Sequence, residues 1–191
     1  MPERNIDFGK FGARGIRGSE AVARKLDELA GGIATPVTVR RGLMARLHYL
    51  TRSEKSRQAA RDAGLTVTER TLKAWLEGRR RPSKTNLDRV DAAYRAVRRR
   101  NVARHLTARL NREGRGTRVE IHPLNQSQVP RPLQRVVEYR TMNVRRWDKI
   151  VDSWAVGDYQ GLDDAWTTDV LPDLGSQWGQ YEYVTNVGFA A

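Results

Sequence analysis

The residues best suited to chemistry lie between Gln58 and Asn86, in the segment QAARDAGLTVTERTLKAWLEGRRRPSKTN. Its second half is rich in guanidinium, ammonium and hydroxyl groups, which donate hydrogen bonds to anions. The run from Gly78 to Ser83, GRRRPS, joins three arginines to a residue that caps a following helix. Cations beside a helix N-terminus suit a phosphate group. The segment therefore predicts a phosphate-binding surface.

Signatures of catalysis are missing from the sequence, which contains no P-loop, GxGxxG, HExxH or GxSxG motif. Without cysteine there is no disulfide framework and no thiolate metal site, and three histidines are too few to predict a structural zinc site: His48, His105 and His122. A second group of residues lacks any characteristic ligand spacing and is interpreted as an acidic helix face: Asp163, Asp164, Asp169 and Asp173. We expect a protein that is not an enzyme and that needs no cofactor and no metal.

The charge of the chain indicates a polyanionic partner. Across 191 residues, 35 lysines and arginines against 22 aspartates and glutamates give a formal net charge of +13. Residues 148–191 carry one basic and eight acidic side chains, a net charge of −7, so the remainder of the chain carries +20. The acidic end is interpreted either as a surface for another subunit or partner, or as solvated helices. No apolar run reaches the length of a membrane span and no signal peptide is visible, so we expect a cytoplasmic protein without membrane contact.

Apolar periodicity predicts the helices that must position these cations. One helix has apolar residues at i, i+4, i+8 and i+11: Val39, Leu43, Leu47 and Leu50. Another is short, runs from Glu69 to Glu77, and has three apolar contacts: Leu72, Trp75 and Leu76. Caps and glycine stops delimit these helices and their neighbours: Ser19, Ser53, Thr68 and Ser83 as caps, and Gly31, Gly64 and Gly78 as stops. A long helix then continues to Leu110, with a break expected near Arg100.

From Thr117 onward the pattern alternates, which predicts strands at residues 117–122, 136–143 and 181–186, with helices at 147–157 and 162–172. The fold class is therefore α+β. It comprises a mainly helical N-terminal domain, a long connecting helix and a small C-terminal α+β domain. The chain is predicted to begin with a flexible basic arm, residues 1–18, followed by the helical domain, residues 19–100. A connector of helix and turn, residues 101–115, then leads to an α+β domain, residues 116–191, which is acidic from residue 148.

The sequence leaves two interpretations open for the N-terminal residues and two for the C-terminal tryptophans. The glycine-rich, basic N-terminal residues form either an unfolded terminus or an arm that enters a minor groove: Lys10, Arg14 and Arg17. Four of the five tryptophans lie in the C-terminal part and belong either to its core or to an interface: Trp147, Trp154, Trp166 and Trp178.

The stretch AARDAGLTVTERTLKAWLEGRRRPS resembles the lambda-repressor-like (Xre-type) helix-turn-helix family in its small residues, turn glycine, Thr-Leu and Trp pattern and basic exit loop. The resemblance covers roughly residues 38–100. Its turn, from Gly64 to Thr71, is two residues longer than is usual in that family. The resemblance implies that the third helix lies in the major groove of double-stranded DNA, with these residues at base edges: Thr68, Glu69, Arg70, Lys73 and Ala74. It implies phosphate contacts from the exit loop and the helix after it: Arg79, Arg80, Arg81, Ser83 and Lys84.

The chemistry of the first set suits base readout. Arg70 can donate two hydrogen bonds to guanine O6 and N7, and Glu69 can accept one from cytosine N4. The methyl groups of Thr68 and Ala74 can contact the methyl group of thymine. These residues predict a transcriptional regulator associated with the nucleoid, acting as a homodimer because one short helix reads few bases. Arginine is used far more than lysine, which is typical of GC-rich actinobacterial proteins and favours an actinobacterial or mobile-element locus.

Three other interpretations stay open. The layout of helix-turn-helix, long basic helix and strand-loop-strand is similar to the telomere-associated terminal proteins of linear Streptomyces replicons. That similarity implies a protein primer joined to DNA through a threonine hydroxyl, for which Thr117 is a candidate. The chain can instead be an interaction adaptor whose Trp-rich C-terminal domain binds a protein partner. The plainest interpretation is a structural helical hairpin with solvated arginines.

Overall fold

The computed structural model describes residue 9, residues 11–174 and residues 180–190, and it has the predicted α+β fold. The described residues form seven α-helices: α1 (Gly18–Ala30), α2 (Arg40–Thr51), α3 (Glu54–Asp62), α4 (Glu69–Leu76), α5 (Lys84–Asn111), α6 (Asp148–Val156) and α7 (Tyr159–Ala165). They also form four strands: β1 (Ile16–Arg17), β2 (Thr117–Pro123), β3 (Arg140–Val144) and β4 (Tyr183–Ala190). Irregular helical turns at Trp166–Val170 and Leu171–Leu174 extend α7.

The chain divides into two compact units. Unit 1 comprises the described residues of Met1–Leu29 and Ala103–Ala191, and unit 2 comprises Ala30–Val102. This division differs from the predicted one, because α1 belongs with the C-terminal α+β part rather than with the helical domain. The predicted break near Arg100 is also wrong, since α5 is continuous over 28 residues.

Unit 2 is a helical unit built on one apolar core. Leucines from α2 meet the buried side chains of Leu65, Leu72 and Trp75, and α5 closes the core with Val90 and Ala93. The predicted caps of the two short helices are observed. Ser53 accepts a hydrogen bond from the amide of Ser56 at 3.1 Å, and Thr68 accepts one from the amide of Thr71 at 3.2 Å. Helices α3 and α4 therefore begin where a capping side chain satisfies a first-turn amide.

One arginine of unit 2 is part of the core. Arg46 is 6% exposed, and its guanidinium group forms an ion pair of 2.7 Å with Asp91. It also donates to the carbonyl oxygens of Thr35 at 2.7 Å and Gly42 at 3.0 Å, and lies 5.3 Å from the ring centre of Tyr94. Its charge predicts a position on the polar face of α2, but Arg46 lies three residues after Leu43 and four before Leu50, on the apolar face, where it joins α2 to α5 and to the segment before α2.

Unit 1 contains an antiparallel sheet of order β1-β4-β2-β3. Three tryptophans, Trp147, Trp154 and Trp166, are each 1% exposed and fill its core. The indole of Trp154 donates to Asp27 at 3.1 Å, and that of Trp166 donates to the carbonyl of Tyr181 at 3.1 Å. These three tryptophans are therefore core residues, as one of the two interpretations predicts, and their buried side chains are not available to a partner. Trp178 lies outside the described residues.

Two further expectations differ from the structure. Residues 16–17 of the predicted flexible arm form β1, and Arg17 is held by an ion pair of 2.8 Å with Asp163. Arg14 is held by its backbone, which exchanges hydrogen bonds with Asn125, while Lys10 lies outside the described residues. The second predicted strand, 136–143, is shorter, since β3 begins only at residue 140. The alternating residues 136–139 thus belong to the connection before β3 instead of to a strand.

Candidate nucleic-acid interface

The helix pair α3–α4 in unit 2 carries the predicted site. Gly64 ends α3 with a backbone φ of +93°, a conformation that glycine adopts without steric cost. The amide of Leu65 then donates to the carbonyl of Ala60 at 3.0 Å, and the Leu65 side chain is buried against the core. The turn is therefore anchored by one leucine at its start and by the Thr68 cap at its end, which fixes where α4 begins.

The outward face of α4 presents the predicted base-reading residues. Ala74 is half-buried, and the other four are exposed: Thr68, Glu69, Arg70 and Lys73. Lys73 and Ala74 each lie beside Arg70 on the helix, because they follow it by three and four residues. The hydroxyl of Thr68 is occupied by the cap and lies 2.9 Å from the hydroxyl of Thr71. Its methyl group is consequently the part left for a base contact.

An ion-pair network links α3 to the start of α4. Arg61 lies 2.9 Å from Glu54 and 3.5 Å from Glu69. Hydrogen bonds from Arg61 and then Arg57 lower the pKa of the Glu54 carboxyl below its ordinary value. Arg61 therefore lies between two carboxylates, those of Glu54 and Glu69. Glu69 thus has an exposed intramolecular ion-pair partner that a cytosine amino group would have to share or displace.

The exit loop begins at Gly78, whose φ of +71° ends α4. The amides of Gly78 and Arg80 donate to the carbonyls of Trp75 at 3.1 Å and Ala74 at 3.2 Å, so the loop folds back onto the helix. Glu77 pairs with Arg79 and lies 3.9 Å from Lys73.

The third arginine of the loop is held in a different way. Arg81 donates to the carbonyl of Thr38 at 3.1 Å, which ties the exit loop to the segment before α2. The predicted phosphate contacts are thus brought together, but two of the three arginines already have a partner.

Three predicted cations are unpaired. In the part of the chain that the structure describes, the exposed side chains of Arg70, Arg80 and Lys84 have no ion pair or hydrogen bond. Lys84 opens α5, where Ser83 accepts from the amide of Asn86 at 3.4 Å. The first-turn amides of a helix carry a partial positive charge. The unpaired cations and this helix start therefore form the part of the site that is ready for an external anion.

Two arginines outside the predicted set adjoin it. Arg61 contacts Glu69, as described above. A Cβ atom placed on Gly78 would lie 3.1 Å from Nη2 of Arg40, so Arg40 lies beside the exit loop. From the sequence alone, Arg40 and Arg61 could be assigned only to the polar faces of α2 and α3. Their proximity to α4 depends on how the helices pack.

The candidate DNA-linking threonine does not fit that role. Thr117 is completely buried, and its hydroxyl donates to the carbonyl of Leu110 at 2.7 Å. A nucleophile that is to be joined to a DNA end must be reachable by a nucleotide, which this hydroxyl is not. A protein-primer function would need a different residue.

Comparison with protein-family models, with curated proteins and with solved structures finds no match for this chain. The resemblance to the lambda-repressor-like helix-turn-helix therefore rests on the residues of α3, α4 and the exit loop. Among the described residues, no group of three His, Cys, Asp or Glu side chains is arranged to hold a metal ion. None of the helices described here combines the length and apolar character that crossing a bilayer requires.

Proposed function

We propose that this chain is a double-stranded DNA-binding protein that reads the major groove with α4 and acts as a transcriptional regulator. One observation carries the proposal: unpaired Arg70 on the exposed face of a capped α4 is followed by unpaired Arg80 and Lys84 at the start of α5. A short, well-anchored helix beside phosphate-binding groups is the arrangement by which helix-turn-helix proteins combine base readout with backbone positioning.

The residues divide into two roles. Arg70 supplies the sequence-dependent contact, because a bidentate pair with guanine contributes roughly 1–3 kcal/mol of discrimination. Thr68 and Ala74 add methyl contacts. The carboxylate of Glu69 accepts a hydrogen bond from the amino group of cytosine while it is shared with Arg61. Arg80 and Lys84, with Arg79 and Arg81 after rearrangement, bind phosphates and contribute affinity without sequence preference.

The same proposal includes a homodimer acting in the cytoplasm on the nucleoid. A single α4 of eight residues reads only a few base pairs, and paired half-sites supply the missing affinity and specificity. The excess of arginine over lysine supports an actinobacterial or mobile-element locus as the target. Sedimentation of the protein with and without DNA measures the dimer directly.

The test begins by selecting duplexes from a random pool with the purified chain, and it then compares two substitutions by fluorescence anisotropy. Arg70→Ala is expected to lose roughly 5- to 150-fold of discrimination between selected and mismatched duplexes. Arg80→Ala is expected to weaken all duplexes alike and to lower the slope of log affinity against log salt by about one.

Arg95→Ala is the matched control, because Arg95 is an exposed arginine of unit 2 that pairs with Asp91 at 2.6 Å on α5. It should leave both quantities unchanged. Equal effects of Arg70→Ala and Arg80→Ala on all sequences would contradict the placement of α4 in the major groove. A wild-type chain that does not bind duplex DNA, or whose binding does not weaken with salt, would contradict the proposed function itself.

A further inference from the structure

The connection between β2 and β3, residues 124–139, has a surface unlike the rest of unit 1. We call it the β2–β3 loop. Three large apolar side chains on it face solvent: Leu133 is 48% exposed, Val136 is 87% exposed and Tyr139 is 47% exposed. Exposed apolar side chains that lie close together along a segment mark interaction surfaces more often than isolated ones. A long connection without regular strands is also a common place for binding residues.

This loop is held in shape by its own hydrogen bonds. The Gln126 side chain donates to the carbonyl of Arg135 at 2.9 Å and accepts from its amide at 2.8 Å. Gln134 donates to the carbonyl of Val129 at 2.8 Å, and Val129 is buried. Two glutamine side chains thus fasten the two halves of the loop to each other. The exposure of Val136 is therefore a property of an organised segment.

The apolar side chains are interleaved with unpaired cations. Arg131 and Arg135 are exposed, and within the described residues their side chains have no ion pair or hydrogen bond. Arg140 differs, since its guanidinium group lies 3.8 Å from the carboxylate of Glu138. Over residues 103–147 the chain has ten arginines and three glutamates. An occupant of this surface must therefore present negative charge beside apolar groups.

We propose that the β2–β3 loop is a second DNA-binding element, in which Arg131 and Arg135 contact phosphates while Leu133 and Val136 enter the minor groove. The inference rests on the proposed function in taking DNA as the partner. A minor groove places two rows of phosphates on either side of sugars and base edges, and apolar wedges beside arginines bend the duplex there. A second copy of this loop is a poor occupant, because its own arginines would repel these.

The test uses the full chain, a labelled duplex carrying the selected sequence, and two double variants. Arg131→Ala with Arg135→Ala is expected to weaken binding fivefold or more and to lower the salt slope by about two. Leu133→Ser with Val136→Ser is expected to reduce the DNA bend, measured by energy transfer between the duplex ends, with the salt slope unchanged. Because all four side chains are exposed, unchanged thermal melting should confirm that both variants fold.

Matched controls are available in the same unit. Val156→Ser removes an exposed valine, 65% exposed, at the end of α6 in the acidic part of the chain. Arg24→Ala removes an exposed arginine of α1 that pairs with Glu20 at 2.6 Å. Both should leave affinity and bend unchanged. Arg131→Lys with Arg135→Lys should retain most of the salt slope, because the charge is kept.

The outcomes separate this inference from the proposed function. If the wild-type chain binds DNA through Arg70 and Arg80 but both loop variants bind and bend it normally, the inference is overturned and the proposed function stands. Residual DNA binding in Arg70→Ala with Arg80→Ala that the loop substitutions abolish supports the inference even where α4 is not the reader. Loop variants that lose only binding to phosphatidylserine vesicles, or only self-association, also overturn it.

Discussion

The exit loop of unit 2 and the β2–β3 loop of unit 1 are both rich in arginine, and they surround their arginines differently. In the exit loop, Glu77 pairs with Arg79, and Arg81 donates to a backbone carbonyl. In the β2–β3 loop, Arg131 and Arg135 stand beside exposed apolar side chains instead of carboxylates. The first surface is a set of cations partly neutralised from within, whereas the second is a set of unpaired cations with apolar neighbours.

This difference shows that the partner of an arginine matters more than the count of arginines. Unit 2 uses the same residue type for core structure at Arg46, for ion pairs at Arg61 and for an open donor at Arg70. A net charge of +13 treats all of these alike. Only the donors without an internal partner are ready to release counterions from DNA without first breaking another contact.

Arg46→Met has the largest expected effect, because it removes an arginine that serves the core of unit 2 instead of a surface. Removing the guanidinium takes away the hydrogen bonds that it donates to the carbonyl oxygens of Thr35 and Gly42, and Asp91 keeps only Arg95 as an ion-pair partner. We expect the free energy of unfolding to fall by about 3 kcal/mol, as for other buried charge networks. Urea unfolding followed by tryptophan fluorescence, which includes Trp75 of unit 2, measures it.

Arg41→Met is the control for that experiment, because Arg41 is the exposed neighbour on the same helix. Its effect should stay within about 0.5 kcal/mol. Similar effects at the two positions would show that burial does not separate structural from surface arginines in this unit.

Glu77→Gln tests whether internal neutralisation limits the exit loop. The change releases Arg79 and removes the carboxylate 3.9 Å from Lys73, so both cations become free for phosphates. We expect affinity for duplex DNA to rise about twofold to fivefold, the equivalent of roughly 0.4–1 kcal/mol for exposed pairs. Glu113→Gln removes the same charge from an exposed residue of unit 1 and serves as the control. No gain beyond that control would mean that Glu77 does not restrain the loop.

The smallest effect concerns pH. The folded-state pKa of Glu54 is lowered by its hydrogen bonds to Arg61 and Arg57, so its contribution to stability is present above its ordinary pKa of 4.5. It is lost as pH falls below that value through the lowered pKa of the folded state. We therefore expect Glu54→Gln to lower the Tm slightly near neutral pH, and the gap from wild type to close in more acidic solution. A gap that stays constant with pH would assign the effect to helix α3 itself.

The parts of the fold that local chemistry decides were predictable. Ser53 and Thr68 cap helices, and Gly64 and Gly78 end them, because each acts on backbone groups within a few residues. The candidate interface was predictable for the same reason, since α4 and its exit loop are consecutive in sequence. Their placement on one exposed segment follows from the helix period and needs no distant contact.

Contacts between distant residues were not predictable. Arg46 has the helical spacing of a core residue but a charge typical of the surface, and the approach of Asp91 from α5 is what pairs that charge inside the core. Residues 136–139 alternate like a strand, but no neighbouring strand pairs with them among the described residues. The sequence predicts Arg17 to be a mobile cation, but in the structure β1 pairs with β4 and Arg17 forms an ion pair with Asp163. For Arg46 and Arg17, the deciding partner lies far away along the chain.

The pairing of β1 with β4 has a consequence for the order of folding. Residues 16–17 meet their partners only at residues 183–184, with all of unit 2 between them. On a ribosome, unit 2 has its complete core as soon as the first part of α5 has emerged, whereas the sheet of unit 1 waits for β4. Closing so long a loop is entropically costly and slow. A nascent chain would therefore carry a formed helical unit while α1 and the tryptophan core are still being assembled.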